Sequence, residues 1–215
     1  MEANGHSNIT ENGPWTPKPY TSQSSAKCYV AVLDGWCKSP FKDAELHAEG
    51  MLRRMTSLKI YNSKHYNNVM NRLASGAKSN AGAEAERLFN EMIEMYKAGN
   101  LAVTPNRNSF NTVIKAYANS GGKNGARNAK RILGMMENPS KFGLGEIASE
   151  IEPDRISCTS IMMAWANSND AGGCEVDAGE KAEQLLRRME GKFASKGDVN
   201  MRPDTATYNA VIKVW

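Results

Sequence analysis

One unit recurs in register along this chain, and that recurrence constrains the fold more than any other feature. Its complete copy occupies residues 105–154 and joins two stretches whose apolar residues repeat at helical spacing. The first stretch bears one apolar stripe, formed by Phe110, Val113, Ile114, Tyr117 and Ala118. Between the stretches, Ser120–Gly125 is rich in Gly and Asn, which end helices and turn the chain. The unit is therefore predicted to be a helical hairpin.

The same register appears five times, so the prediction covers all of the chain after the first 25 residues. The second helices keep a constant spacing from Ala to Met, as in Ala48 to Met55 and Ala129 to Met136. The predicted repeats are residues 26–62, 63–106, 107–154, 155–204 and 205–215, the last being a first helix only. A period of this size is typical of solenoids, so we expect an all-α array of hairpins.

Composition limits the partners that this chain is expected to have. The formal net charge is +4, which suits a polyanion without requiring one. The four Cys form no Cys-x-x-Cys pair, which indicates reduced thiols in an intracellular protein. With no His or Cys at metal-ligand spacing, we expect no metal site and no cofactor. No apolar run is long enough to span a bilayer or to serve as a secretory signal.

The two ends of the chain carry separate expectations. Residues 1–25 are rich in Pro, Ser, Asn and Gly without a helical stripe, which predicts a disordered tail. This tail contains no Arg and therefore does not look like an organelle transit peptide. The fifth unit stops within its first helix, so we expect a truncated array. Its last helix is predicted to self-associate through an uncovered apolar face that includes Val211 and Trp215.

Three recurring details point to one family of helical repeats. An aromatic residue followed by Asn begins the first helix at Tyr66-Asn67, Phe110-Asn111 and Tyr208-Asn209. The second detail is the constant spacing from Ala to Met in the second helix, and the third is the Pro-Asp or Pro-Asn pair that closes the repeat. The Trp, Leu-Gly and Tyr signature of tetratricopeptide repeats is missing. Residues 26–215 therefore resemble pentatricopeptide repeats.

The resemblance implies a right-handed α-solenoid that binds single-stranded RNA. It also implies a role in RNA processing, stability or translation, in a mitochondrion or plastid. The repeats themselves are not expected to be an enzyme, although some members of the family carry a catalytic domain after the repeats. No nucleophile elbow, phosphate loop or zinc-ligand set appears in this chain.

In that family each repeat reads one base through two residues. One is the residue after the aromatic position, here called the reader, and the other is the last residue of the repeat, here called the closing residue. The pairs carried onto this chain are Val30 with Asn62, Asn67 with Asn106, Asn111 with Asp154, and Thr159 with Asp204, followed by the reader Asn209. By the family's pairing these imply a preference for 5′-N-Y-U-G-3′, the first base being poorly specified.

The family also uses a residue three before each reader to sandwich the base. Those positions are held by Lys27, Lys64, Asn108, Ile156 and Ala206. Only Ile156 has the aliphatic character that the family usually shows, so apolar sandwiching is expected to be weaker here. Lys38 occupies the late first-helix position that faces the RNA backbone in the family. Binding is therefore expected to be modest and sensitive to salt.

Two other interpretations compete with base reading. Closing residues such as Asn106, Asp154 and Asp204 are also favoured as helix caps, whatever the function. The array is alternatively a scaffold for protein partners, which would require large apolar residues where the polar readers stand. The arginines of the second helices are interpreted as a solvated outer surface, and they are Arg53, Arg54, Arg87, Arg131, Arg187 and Arg188.

Overall fold

The computed structural model describes residues 23–76, 79–169 and 178–215, and helices make up most of them. The helices are α1 Gln23–Lys38, α2 Ala44–Ser57, α3 Ser63–Ser75, α4 Ala81–Lys97, α5 Arg107–Ser120, α6 Gly122–Glu137, α7 Arg155–Asn169, α8 Ala178–Lys196 and α9 Thr205–Val214. These ranges contain no strand, and the predicted all-α class is confirmed. Residues 1–22 of the predicted tail lie outside the described residues, and α1 begins at Gln23.

The helices pack in the order expected of a repeat array. The first helices α1, α3, α5, α7 and α9 each contact the next first helix along the chain. Each second helix contacts its own first helix and the first helix of the following hairpin. Every hairpin therefore depends on its neighbours to bury its apolar stripe, as in other repeat proteins. None of the described helices is both long and apolar enough to cross a membrane.

The core follows the spacing seen in the sequence. The recurring Ala and Met positions of the second helices are fully or almost fully buried: Ala48, Met55, Ala85, Met92, Ala129, Met136, Ala182 and Met189. Between the second and third hairpins, the rings of Phe89 and Phe110 meet edge to face, with centroids 4.7 Å apart. The prediction that these Met residues belong to the core is confirmed.

The Gly-rich break of the third hairpin is shorter than predicted. Helix α5 continues to Ser120 and α6 already begins at Gly122, so Gly122–Gly125 form its first turn. Only Gly121 separates the helices, with a φ of 68° that favours glycine. A Cβ on Gly125 would lie 2.6 Å from the carbonyl oxygen of Tyr117. This glycine therefore permits a close approach of α5 and α6, which the sequence analysis interpreted as a loop signal.

The segments that close the repeats are packed against the helices. The long segment after α6 contains two short 3₁₀ helices, Pro139–Phe142 and Gly145–Ile147, and buries Leu144 and Ile151. The 3₁₀ helices after α4 and α8 bury Val103 and Met201 in the same way. Val103, Ile151 and Met201 each lie two residues before the closing Pro of their repeat. The closing segments are therefore anchored by one buried apolar side chain at the same position.

Candidate functional site

A groove of about 600 Å³ lies along the layer of first helices, between α3, α5 and the start of α7. Polar side chains dominate its walls. Its lining residues are Lys64, Asn67, Asn68, Asn71, Asn106, Asn108, Asn111, Thr112, Lys115 and Ile156. Six of these ten were predicted from the sequence, namely Lys64, Asn67, Asn106, Asn108, Asn111 and Ile156.

The closing residues are placed by helix capping. The side-chain oxygens of Asn62, Asn106, Asp154 and Asp204 each accept the backbone N–H three residues later, at 2.9–3.2 Å. An N-cap satisfies a donor that the first helical turn leaves unpaired. Capping, the alternative interpretation of these residues, is therefore present in the structure. It also holds each closing side chain at the start of a first helix, beside the preceding repeat.

Three of the four predicted pairs come together at these junctions. Asn67 Nδ2 lies 3.4 Å from Asn106 Oδ1, and Asn111 Nδ2 donates to Asp154 Oδ1 at 3.1 Å. Thr159 reaches Asp204 indirectly through Thr207, whose Oγ1 lies 3.0 Å from Thr159 Oγ1 and 3.0 Å from Asp204 Oδ1. A reader and a closing residue about 40 positions apart in sequence thus share one small polar site.

The first pair and the last reader are arranged differently. Val30 packs against the apolar core, whereas Asn62 is exposed and its side chain caps α3. A valine side chain has no hydrogen-bonding group with which to engage Asn62, so no polar site forms there. Asn209 is exposed on α9.

The predicted sandwiching residues are divided between the groove and the exposed ends. Lys64, Asn108 and Ile156 line the groove, and Ile156 is 52% exposed there. Lys27, Lys38 and Ala206 are exposed but do not line it.

Four further groove residues were missed by the sequence analysis: Asn68, Asn71, Thr112 and Lys115. Thr112 Oγ1 lies 3.2 Å from Asn71 Oδ1 and joins α5 to α3. These residues could have been identified from polar residues that repeat at helical spacing on one face of a first helix. Asn108, Asn111 and Lys115 follow that spacing along α5, beside the apolar stripe used to predict the helix.

The lysines and arginines of the two helix layers have different surroundings. Lys64 and Lys115 are exposed at the groove and form no ion pair within the described ranges. On the second helices, arginines pair with a glutamate of the preceding second helix. We call these pairs the outer ladder, which consists of Glu49–Arg87, Glu86–Arg131 and Glu137–Arg188 at 2.5–2.7 Å.

The remaining arginines named from the sequence also have partners. Arg53 pairs with Glu49 and Arg187 pairs with Glu183, while Arg54 lies over the ring of Tyr29. These contacts agree with the interpretation of the second-helix arginines as an outer surface. The groove lysines are therefore cations that an anionic ligand can reach without displacing a glutamate.

Two ionisable groups near the junctions have shifted pKa values. The pKa of Asp204 is lowered, chiefly because its carboxylate accepts the backbone N–H of Thr207. Burial lowers the pKa of His65, which occupies the capping position equivalent to Thr207 in another repeat. At neutral pH, Asp204 is therefore an anionic acceptor and His65 is a neutral ring.

The described residues contain no cluster of three or more His, Cys, Asp or Glu side chains suited to a metal ion. No family model, curated protein or solved structure matched this chain. The inference about function therefore rests on the groove itself.

Proposed function

We propose that the protein binds single-stranded RNA along the groove, with one base held at each junction between repeats. The observation that carries this proposal is the pairing of Asn111 with Asp154, and of Asn67 with Asn106, at successive junctions of one groove. Regular spacing of equivalent polar sites matches a ligand that is itself a regular polymer.

The chemistry of the groove suits nucleotides in two ways. An Asn side chain offers both a donor and an acceptor to a base edge, and a carboxylate selects groups that present a donor. Lys64 and Lys115, exposed and without ion-pair partners in the described ranges, provide positive charge for phosphates. Base edges in single strands are open to such contacts, whereas those in an RNA duplex lie in grooves that side chains read poorly.

The proposal includes the finer expectations drawn from the resemblance to pentatricopeptide repeats. We infer that the hairpins continue as a right-handed solenoid, and that the preferred sequence is close to 5′-N-Y-U-G-3′. A role in organellar RNA processing, stability or translation belongs to the same proposal. The contact of each hairpin with the next supports the solenoid, and the polar junctions support the base preference.

The decisive experiment is fluorescence anisotropy at low salt with short labelled RNAs containing CYUG. A scrambled RNA and a variant with G in place of U are the controls on the ligand. Asn111→Thr places a threonine at this junction, as at Thr159, and is expected to move the preference from U toward G. Equal binding of all RNAs by both proteins would contradict base reading at Asn111.

A scaffold for protein partners is the second candidate. It is favoured by exposed apolar side chains on α9 and directly after it, since Ile212 is 71% exposed and Trp215 is 72% exposed. Val211, which was expected on the uncovered face, is buried, so self-association is proposed through Ile212 and Trp215. The polar lining of the groove is an argument against peptide binding there, because peptide grooves are usually apolar. If this candidate is correct, Asn111→Thr leaves partner binding unchanged.

A further inference from the structure

The three polar junctions differ in one respect: which atoms of the reader are already hydrogen-bonded. Each following helix carries a hydroxyl residue at its third position, and these residues are Ser109, Ser157 and Thr207. All three are fully buried, and each also belongs to the cap of its own helix. Their hydroxyl groups do not contact the reader in the same way.

At the Asn111 junction, the reader's side-chain oxygen is occupied. Ser157 Oγ lies 2.5 Å from Asn111 Oδ1 and 3.0 Å from Asp154 Oδ1, and we assign its single proton to the closer oxygen, that of Asn111. Asn111 Nδ2 in turn donates to Asp154 Oδ1. The orientation of this amide follows from chemistry, because an ionised carboxylate only accepts and so must face the amide nitrogen. Among the described residues, the second amide N–H of Asn111 is the group that still lacks a partner, whereas its oxygen already has one donor.

At the Asn67 junction, the equivalent oxygen is unoccupied. Ser109 Oγ lies 3.3 Å from Asn106 Oδ1, and Asn67 Oδ1 has no hydrogen-bond partner in the part of the chain that the structure describes, although the residue is only 8% exposed. Leaving a buried acceptor unpaired is costly, and a ligand donor that reaches it removes that cost. Asn67 lines the groove, so a ligand that occupies the groove lies beside the residue that carries this unpaired oxygen.

We propose that the capping hydroxyl decides which group each reader offers to a base, with Ser157 acting as a positioning residue. This inference rests on the proposed RNA binding. Asn67 offers an acceptor and therefore takes a base edge that presents an N–H, such as N3–H of uracil. Asn111 offers chiefly a donor for as long as Ser157 donates to its oxygen, because a second donor to that oxygen would relieve no unpaired group.

The test compares 5′-CUUG-3′ RNA with two forms in which N3-methyluridine replaces one uridine. Methylation removes the N3–H donor. With the unmodified protein, the methyl group at the second base is expected to weaken binding about three- to tenfold, the range for loss of one hydrogen bond. At the third base, read by Asn111, methylation is expected to change affinity less than about twofold. The oxygen Asp154 Oδ1 at this junction is not expected to take the N3–H either, because it already accepts from Asn111 Nδ2 and from the Ser157 backbone N–H.

Ser157→Ala removes the donor that occupies Asn111. Affinity for the unmodified RNA is expected to rise about three- to tenfold, and methylation of the third base now weakens binding to a similar extent. Ser157→Thr keeps the hydroxyl and is expected to behave as the unmodified protein. Ser109→Ala is the matched control, because it removes an equivalent capping hydroxyl that does not contact a reader. Thermal unfolding first establishes that each variant is folded.

The outcomes separate the two proposals. If the unmodified protein binds none of these RNAs above background, RNA binding itself fails. If RNA binds but methylation at the second and third bases has equal effects in the unmodified protein, the role of Ser157 is overturned without recourse to any variant. Equal responses of Ser157→Ala and Ser109→Ala to methylation would overturn it as well.

Discussion

Cations on the two faces of this array differ in what surrounds them. In the outer ladder, Arg87, Arg131 and Arg188 each pair with a glutamate of the preceding second helix. At the groove, Lys64 and Lys115 are exposed among amide side chains and have no ion pair within the described ranges. The number of basic residues on a face therefore indicates little about anion binding unless their partners are known.

This difference in ion pairing implies that the cations of the two faces contribute to different properties, the outer ones to stability and the groove ones to ligand binding. A cross-helix ion pair uses its charge to hold two repeats together, and a phosphate would have to displace the glutamate to use it. An exposed lysine that forms no ion pair joins no two repeats, and its charge can interact with a ligand directly. We therefore expect substitutions on the outer face to change stability and substitutions in the groove to change binding.

The largest effect is expected from reversing the charge of the groove. The double substitution Lys64→Glu and Lys115→Glu is predicted to weaken RNA binding about a hundredfold at low salt, or about tenfold for each reversed charge. The dependence of affinity on salt should flatten at the same time, because fewer counterions are released on binding. Anisotropy titrations at several salt concentrations measure both quantities. A double variant that retains full affinity would show that the groove is not the anion site.

The next effect concerns the packing that joins the two layers. A Cβ on Gly82 would lie 2.3 Å from the ring of Tyr117, whose hydroxyl bonds to Glu86 and which is buried. Gly82→Ala is predicted to lower the free energy of unfolding by about 2 kcal/mol, since overpacking a well-filled core costs about that much. Urea denaturation gives the value.

Gly134→Ala is the matched control for Gly82→Ala, because a Cβ at Gly134 meets nothing within 4 Å. This glycine lies within helix α6, where alanine is favoured by about 0.5–1 kcal/mol. The control is therefore expected to stabilise the protein slightly. If both substitutions destabilise equally, the close approach of Gly82 to Tyr117 is not the cause.

A smaller effect is expected from the outer ladder. Arg131→Ala leaves Glu86, whose side chain is only 14% exposed, with Tyr117 as its remaining hydrogen-bond partner among the described residues. The free energy of unfolding is predicted to fall by about 1 kcal/mol, with RNA affinity unchanged. Arg187→Ala is the comparison, because its pair with Glu183 lies within one exposed helix and is expected to contribute less than about 0.5 kcal/mol. A loss of RNA affinity in folded Arg131→Ala would contradict the expectation that substitutions on the outer face change only stability.

The smallest effect is a pH dependence at the last junction. The cap formed with Thr207 lowers the pKa of Asp204, so the native state favours the ionised carboxylate. Its contribution to stability is complete above the ordinary aspartate pKa and is lost as pH falls through the lowered value. Because the side chain is 41% exposed, the loss is expected to be a few tenths of a kcal/mol. Asp204→Asn keeps a cap without a charge, so thermal unfolding between pH 5 and 2 should show a weaker dependence in this variant.

Much of the fold could be predicted because each signal in it is local. Helix spacing, the constant separation of Ala and Met and the recurrence of the unit all lie within a few dozen residues. Errors arose where a residue type had two uses. The glycines of Gly122–Gly125 were interpreted as a turn, yet Gly125 serves the close approach of α5 to α6. A glycine permits both, and only its neighbours in space decide between them.

Local patterns in the sequence were enough to predict the hairpins, their core positions and the residues of three junctions, but not the absence of a polar site at Val30 and Asn62. The sequence could not determine how those junctions are hydrogen-bonded. Asn67 and Asn111 look alike in the sequence, but only Asn111 has its oxygen held by a serine of the next repeat. That contact joins residues 46 positions apart and depends on differences of less than about 1 Å, because hydrogen bonds weaken steeply with distance. Packing between repeats sets such distances, so the hydrogen-bonding groups that the groove presents to a ligand depend on contacts between distant parts of the chain.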